Sequence, residues 1–169
     1  MTQSSSLQEF QQRLAQRLRN ASSDGAAVQR IGVQAGEQQW LLRLEDAGEV
    51  MPVPDISSVP LTCPWFLGLT NIRGNLAGVI DFSTFLGKAP TVRAPECRLV
   101  LIAERFGAHC GLLVARVMGL RNMEQLQALG GRDERPWVGA RYRDRNGSDW
   151  FELKIDTLVA CDDFLRVGL

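Results

Sequence analysis

Hydrophobic and polar positions along this chain keep two different rhythms. Leu7, Phe10, Leu14 and Leu18 recur at helical spacing, opposite Gln11, Arg13 and Arg17, and predict a helix from about Leu7 to Asn20. Ser6-Leu7-Gln8-Glu9 has the spacing of a capping box, in which hydroxyl and carboxylate satisfy the first amide donors. The turn-rich run from Asn20 to Gly25 ends this segment. Residues 1–25 are therefore expected to be an N-terminal helical extension that packs on a body formed by residues 26–169.

From Arg30 the period shortens. Arg30 to Val33 and Gln39 to Leu44 read as strands joined through Ala35-Gly36-Glu37, with Trp40, Leu42 and Leu44 on one face and Leu41 and Arg43 on the other. Val50, Met51 and Val53 form a short extended stretch ended by Pro52 and Pro54, which cannot donate to a central ladder. Strands follow at Leu67 to Ile72, Leu76 to Asp81, Arg98 to Ala103 and His109 to Val114, and Val117 to Leu120 extends the sheet. Glu104-Arg105-Phe106-Gly107 reads as a hairpin connection.

Between these strands a short helix is expected over Phe82 to Leu86, capped by Asp81 or Ser83 and closed by Gly87. Asn122 to Leu129 reads as one or two helical turns ending at Gly130-Gly131. Val138 to Arg143 and Trp150 to Ile155 frame a loop whose Asn146-Gly147 tolerates positive φ, and Thr157 to Leu165 closes the chain as a helix. About eight or more short strands point to a mainly β barrel or sandwich. A parallel sheet is disfavoured, because no long crossover helix is foreseen in the middle of the chain.

Composition narrows the function classes. Lys+Arg and Asp+Glu both number 19, so no global charge excess draws the chain to nucleic acid or an anionic membrane, and a partner must be recognised locally. The N-terminus lacks signal-peptide features and no apolar run approaches the roughly 18 residues of a span. A cytoplasmic protein without direct membrane insertion is expected. Cys63, Cys97, Cys110 and Cys161 lack a CxxC pair and read as small, mostly buried thiols.

Candidate chemistry is sparse. His109 is the only histidine, and its neighbour Cys110 points to the opposite face of a strand, so the two form no ready dyad. Asp144, Asn146, Gly147 and Asp149 faintly suggest a calcium loop, but the glycine falls too early and the closing glutamate is missing; a solvated hairpin tip explains them equally. The glycines at 68, 74, 78 and 87 form neither a dinucleotide nor a Walker loop. No enzyme activity, catalytic residue, cofactor or metal site is expected.

One stretch resists a purely structural account. In "GLTNIRGNLAGVIDFSTFLG" a polar group, Asn71, Arg73 and Gly74, precedes an apolar strand. The order of "EVMPVP", this stretch and "CRLVLIAERFGAHCGLLVARVMGL" resembles the CheW-like coupling domains of bacterial chemosensory systems, from about Arg30 to the C-terminus. The Gly-Leu-Thr-Asn-Ile-Arg-Gly phrase looks most like the branch serving type IV pilus twitching motility.

That resemblance implies a fold of two intertwined SH3-like β-barrels with short helices. It implies a non-enzymatic adaptor that links the cytoplasmic tips of methyl-accepting chemoreceptors to the regulatory domain of a CheA-type histidine kinase, recruited to membrane-associated arrays in a two-component signalling pathway. Arg73 falls on the family's prominent arginine and Glu49 on its early acidic residue; Val50 and Asn71 join them as expected partner-binding positions. Where many relatives carry an aspartate after "LLV", this chain has Ala115.

From the residues alone, the Arg73 guanidinium, with five donors on an apolar stem, suits either a partner carboxylate or an internal tether to a loop carboxylate. Exposed members of Val50, Val53, Ile56, Leu67 and Leu69 would form an apolar groove, with core packing as the plain alternative. A competing reading is a small β-barrel binding a small ligand or nucleic acid. Its only basic stripe, Arg141-Tyr142-Arg143 with Arg145, is interrupted by Asp144 and Asp149.

Overall fold

A computed structural model describes residues 29–169; the expected helix from Leu7 to Asn20 lies outside the described residues. Hydrophobic alternation at the start of the described chain builds a first hairpin from β1 (Gln29–Ala35) and β2 (Gln38–Arg43), paired antiparallel from Arg30 opposite Arg43 to Ala35 opposite Gln38. The chain then leaves this sheet. It lays down β3 (Ala47–Pro52), β4 (Phe66–Ile72), β5 (Asn75–Asp81), helix α1 (Phe82–Phe85), β6 (Arg98–Ile102) and β7 (Cys110–Val114). It returns through β8 (Arg116–Asn122), β9 (Gln127–Leu129), β10 (Val138–Arg143) and β11 (Asp149–Leu153), and ends in α2 (Ile155–Val159) and α3 (Asp162–Leu165).

Two sheets result, one of six strands in the order β8-β1-β2-β11-β10-β9 and one of five in the order β3-β6-β7-β5-β4. The second is built wholly from a segment inserted between strands of the first. That insertion is the intertwining, and the expectation of a mainly β fold of two interlocked barrels holds.

Topology shows why each sheet curls. The edge strands of the first sheet, β8 and β9, are consecutive and joined only through residues 123–126, so its edges must approach each other. In the second, Pro52 and Pro54 end β3, and the chain turns back along β4. Ser57 and Leu69 exchange both backbone hydrogen bonds at 2.8 and 2.9 Å, and the Thr70 hydroxyl donates to the Asp55 carbonyl at 2.7 Å. Gly68 makes this seam possible. At φ +133° a Cβ there would lie 2.1 Å from the Ser57 carbonyl oxygen.

Three apolar regions follow from alternation on these strands. Trp40 and Leu42 of β2, Ile31 and Val33 of β1, and Ile80, Val100, Ile102 and Leu112 of the second sheet share the main core between the sheets. Trp40 meets Phe82 edge to face at 5.2 Å, locking β2 to α1. A smaller core of Val79, Cys97, Leu99 and Leu113 belongs to the second sheet. On the opposite face of β2, Leu41 is fully buried as well, and Trp150 reaches so close to β1 that a Cβ on Gly32 would lie 2.9 Å from its ring.

Several sequence expectations need correction. Leu44 does not continue the Trp40 and Leu42 face; it lies in a 3-10 turn (Leu44–Asp46) and is exposed. That turn carries the chain from one sheet to the other, and Arg105 pairs there with the buried Asp46. Asn122 to Leu129 keeps only the shorter of the one or two helical turns expected, a 3-10 turn (Met123–Gln125), and its remainder is not helix but strand β9, paired with β10. The closing helix is two helices, interrupted at Ala160 and Cys161.

Parallel pairs also occur, β5 with β7 and β2 with β11. The β5–β7 crossover runs through the four-residue helix α1 and strand β6, and the β2–β11 crossover contains the whole second sheet, so neither relies on a long helix. Asp81, as expected, caps α1 by accepting from the Ser83 and Thr84 amides, and it also holds Thr91 at 2.8 Å (amide) and 2.7 Å (hydroxyl). Cys97 and Cys110 are buried, whereas Cys63 and Cys161 are only half-buried.

Replacing Gly68 with alanine is expected to destabilise the fold by more than about 2 kcal/mol, since a backbone collision joins an unfavourable φ. Gly74→Ala, with open space around it at φ +87°, should cost only about 1 kcal/mol. Urea denaturation of both variants checks the difference; equal losses would show that the Ser57 seam does not constrain the barrel.

Candidate partner-binding site

The polar group that interrupts the apolar strand is a hairpin turn. Ile72 pairs with Asn75, leaving Arg73 and Gly74 as a two-residue loop with φ of 52° and 87°. Both central residues at positive φ give the turn whose twist matches that of the flanking strands. Arg73 adopts this conformation without being glycine, at a cost in strain. The Asn71 side-chain oxygen holds the turn by accepting from the Gly74 amide at 2.8 Å. Asn71 thus sets the loop's shape.

At the tip, the Arg73 guanidinium donates to Glu49 Oε1 at 2.9 Å. Glu49 lies on β3 and Arg73 follows β4, the two edges of the five-stranded sheet. The pair therefore spans the same seam that Gly68 and Ser57 close by backbone. Sequence reasoning posed a partner contact against an internal tether; the geometry contains the tether, yet Arg73 keeps 77% of its side-chain surface exposed. One carboxylate oxygen occupies one nitrogen of a group with five donors, so most of its hydrogen-bonding capacity faces solvent.

Apolar surface adjoins the pair. Val50 is 39% exposed, and Leu76, on the partner strand of the Arg73 hairpin, is 64% exposed. Val53, Ile56 and Leu67 are half-buried against the smaller core. The structure thus brings Glu49, Val50, Asn71 and Arg73 to one barrel edge, and of the expected groove only Val50 is substantially open.

The basic stripe at Arg141 to Arg145 is largely neutralised. Arg141 and Arg143 both pair with Asp149, the latter at 2.7 Å, and together they hold its carboxyl at about 2. Asp144 is spent on the hairpin, accepting from the Asn146 and Ser148 amides and the Trp150 indole. The Ala115 backbone amide donates to the Gln34 carbonyl at 2.9 Å, tying the exit of β7 to β1.

A second polar cluster, missed from sequence, lies where the end of α1 meets the C-terminal segment. Arg135 forms two parallel hydrogen bonds to Asp133, both 2.8 Å, and its guanidinium lies 4.9 Å from the Trp137 ring centre. Hydrogen bonding from Arg135 holds the Asp133 carboxyl at about 2, below its ordinary 3.8. The spacing Asp-x-Arg-x-Trp was the only sequence signal for it.

The model of the CheW-like domain matches residues 29–161, and the chain belongs to that family. Among characterised proteins, the chain is similar to protein PilI of Pseudomonas aeruginosa, 29% identical over 92 residues. That match covers 54% of this chain and 51% of PilI, so it spans about half of each. Among solved structures, the scaffolding protein TtCheW from Thermoanaerobacter tengcongensis shares the fold with a TM-score of 0.62 at 19% identity, covering 75% of this chain and 88% of that one.

Carboxyl titration followed by NMR should show Asp133 and Asp149 with midpoints near 2. Because both values are depressed in the fold, their stabilising contribution is complete above about 4 and is lost as pH falls through about 2. Arg135→Gln should raise Asp133 alone toward its ordinary value; an unchanged midpoint would mean that Arg135 is not its partner in solution.

Proposed function

We propose that the chain is a non-enzymatic adaptor that couples membrane chemoreceptors to a CheA-type histidine kinase in type IV pilus chemosensory signalling. The carrying observation is the exposed Arg73, held by Glu49 across a barrel seam in a chain that belongs to the CheW-like family. The likeness to PilI supports the pilus-linked branch. A location inside the cell, beside receptor arrays, accompanies this role. No helix among the described residues is long and apolar enough to cross a membrane.

The chemistry suits a docking contact. An ion pair this exposed contributes only about 0–1 kcal/mol to the fold, because solvent screens it and two long side chains must be ordered. A partner carboxylate can therefore share Arg73 or displace Glu49 at little structural cost, while Val50 and Leu76 supply apolar area beside it. Asn71 fixes the hairpin tip so that Arg73 is presented in one orientation. The kinase's regulatory domain and the receptor tip are the partners this surface serves.

The first test is binding of the purified chain to the regulatory domain of the chemosensory kinase from the same organism, and then to receptor tips. Arg73→Ala should weaken one of these by about 10- to 100-fold, the range expected for a desolvated interfacial arginine, while leaving circular dichroism and the denaturation midpoint nearly unchanged. Glu49→Ala should change affinity less. A folded wild type that binds neither partner would sink the adaptor reading.

A further inference from the structure

At the opposite end of the β4–β5 hairpin from Arg73, the chain forms an open cavity of about 600 Å³. β4 has seven residues, so the two ends lie roughly 20 Å apart at the usual strand rise. Trp65, Phe85, Leu86 and Trp137 supply the apolar lining, and Arg135, Asp163 and Arg166 the charged one. The rings form a continuous aromatic wall. Trp65 meets Phe85 edge to face at 5.3 Å, Phe85 lies 5.6 Å from Trp137, and Phe164 stacks behind Trp65 at 6.2 Å.

Two features distinguish this wall from ordinary core. Trp65 and Phe85 remain half-buried although they pack on neighbouring rings, so part of each ring's surface lines the cavity. Arg135 spends its Nε and one Nη on Asp133, which leaves the other Nη with donors to spare. Arg166 makes no side-chain ion pair or hydrogen bond among the described residues. Aromatic edges beside spare guanidinium donors select a group that is apolar at one end and a carboxylate at the other.

Further apolar surface lies at the rim. Residues 61–63 and 167–169 pair as a short antiparallel patch, with the Cys63 amide donating to the Val167 carbonyl at 2.7 Å and the Leu169 amide to the Leu61 carbonyl at 3.0 Å. In this patch Leu61 is 80% and Leu169 86% exposed, and Leu165, which ends α3 next to the lining residue Arg166, is 61% exposed. Leu61 also sits at φ +59°, a strained conformation for a branched residue. An apolar lip next to an aromatic pocket suits a peptide whose flanking residues lie on leucines while its anchor enters the pocket.

We propose that this cavity is an anchor site for a segment of a protein partner that presents an aromatic side chain next to a carboxylate flanked by apolar residues. Arg166 receives the carboxylate, with the spare Arg135 donors behind it, and Trp65, Phe85 and Trp137 enclose the ring. Asp163 at the rim disfavours a second acid, which limits the segment to one. The site is independent of the Arg73 edge, and a single chain has room to hold a partner at each end of the hairpin.

The test titrates the full chain with acetyl-Leu-Phe-Asp-Leu-amide and with the neutral control acetyl-Leu-Phe-Asn-Leu-amide, following the indole N–H resonances of the four tryptophans. The aspartate peptide should shift Trp65 and Trp137, leave Trp150 in place, and bind at least about fivefold tighter than the control, as a charge-assisted contact requires. Arg166→Gln should bring the two peptides to parity, and Leu86→Trp, which fills the cavity, should abolish both. Arg166→Lys serves as the second variant, keeping the charge while losing the fork; dispersion of the Trp150 signal reports that each variant is folded.

Equal affinity for the two peptides in the wild type, shifts confined to residues away from Trp65 and Trp137, or an unchanged preference in folded Arg166→Gln would each overturn the proposal. So would N-acetylphenylalanine binding as tightly as the tetrapeptide, which would make this a small-molecule pocket. Binding to the kinase or receptor through Arg73 is measured separately and stands or falls without these results.

Discussion

The approach of β4 to the segment around Ser57 is the contact on which the second barrel depends. A five-stranded sheet has two open edges, each a row of unpaired donors and acceptors. Here one edge is covered by the chain that has just left the other, and the backbones come so close that residue 68 can carry no side chain. The curl that this closure imposes brings the β4–β5 hairpin tip over β3. Arg73 and Glu49, 24 positions apart, meet as a result of backbone geometry and not because their attraction folds the sheet.

The insertion of one sheet within the other explains the distribution of apolar residues. Strand β2 lies in the middle of the six-stranded sheet and packs on both faces, Trp40 and Leu42 toward the shared core and Leu41 with Trp150 on the other side. A strand buried on both faces reads as a continuous apolar run, which is how Trp-Leu-Leu appears. The same insertion creates the parallel pairs. After β2 the chain builds a whole sheet before β11 returns beside it, so the crossover that normally needs a helix is a barrel.

Most strands were legible because alternation and turn chemistry agreed. Asp81 and Gly87 bounded α1 correctly, and Asn146-Gly147 marked the last hairpin. The misplacements fall where tertiary pairing overrode local preference. Gln127 to Leu129 became a strand only because β10 offers an edge, and Leu44 left its strand because the chain must cross between sheets at Asp46. Arg73 and Glu49 were singled out through family resemblance, and a tether from Arg73 to a loop carboxylate was one of two readings, but that Glu49 supplies it was not legible, since no local pattern encodes which edges of a curled sheet meet. The aromatic cavity was hidden for the same reason: Trp65, Phe85, Trp137 and Arg166 come from four separate segments.

The energetics separate what holds this molecule together from what it can offer a partner. Trp40, Phe82 and Leu112 lie in a core where removing one large side chain costs about 3–5 kcal/mol, and nothing there is accessible. Arg73 and Glu49 contribute far less to the fold, yet their place is set by the hairpin turn, the Asn71 bond and the Ser57 seam. A side chain that is cheap to disengage but precisely located loses little entropy when it binds and leaves no hole when it moves. An adaptor needs that combination at each surface it presents, and in the proposed role one β-hairpin carries it: a charged tip at one end, an aromatic pocket at the other, and between them strands held in place by the barrel seam.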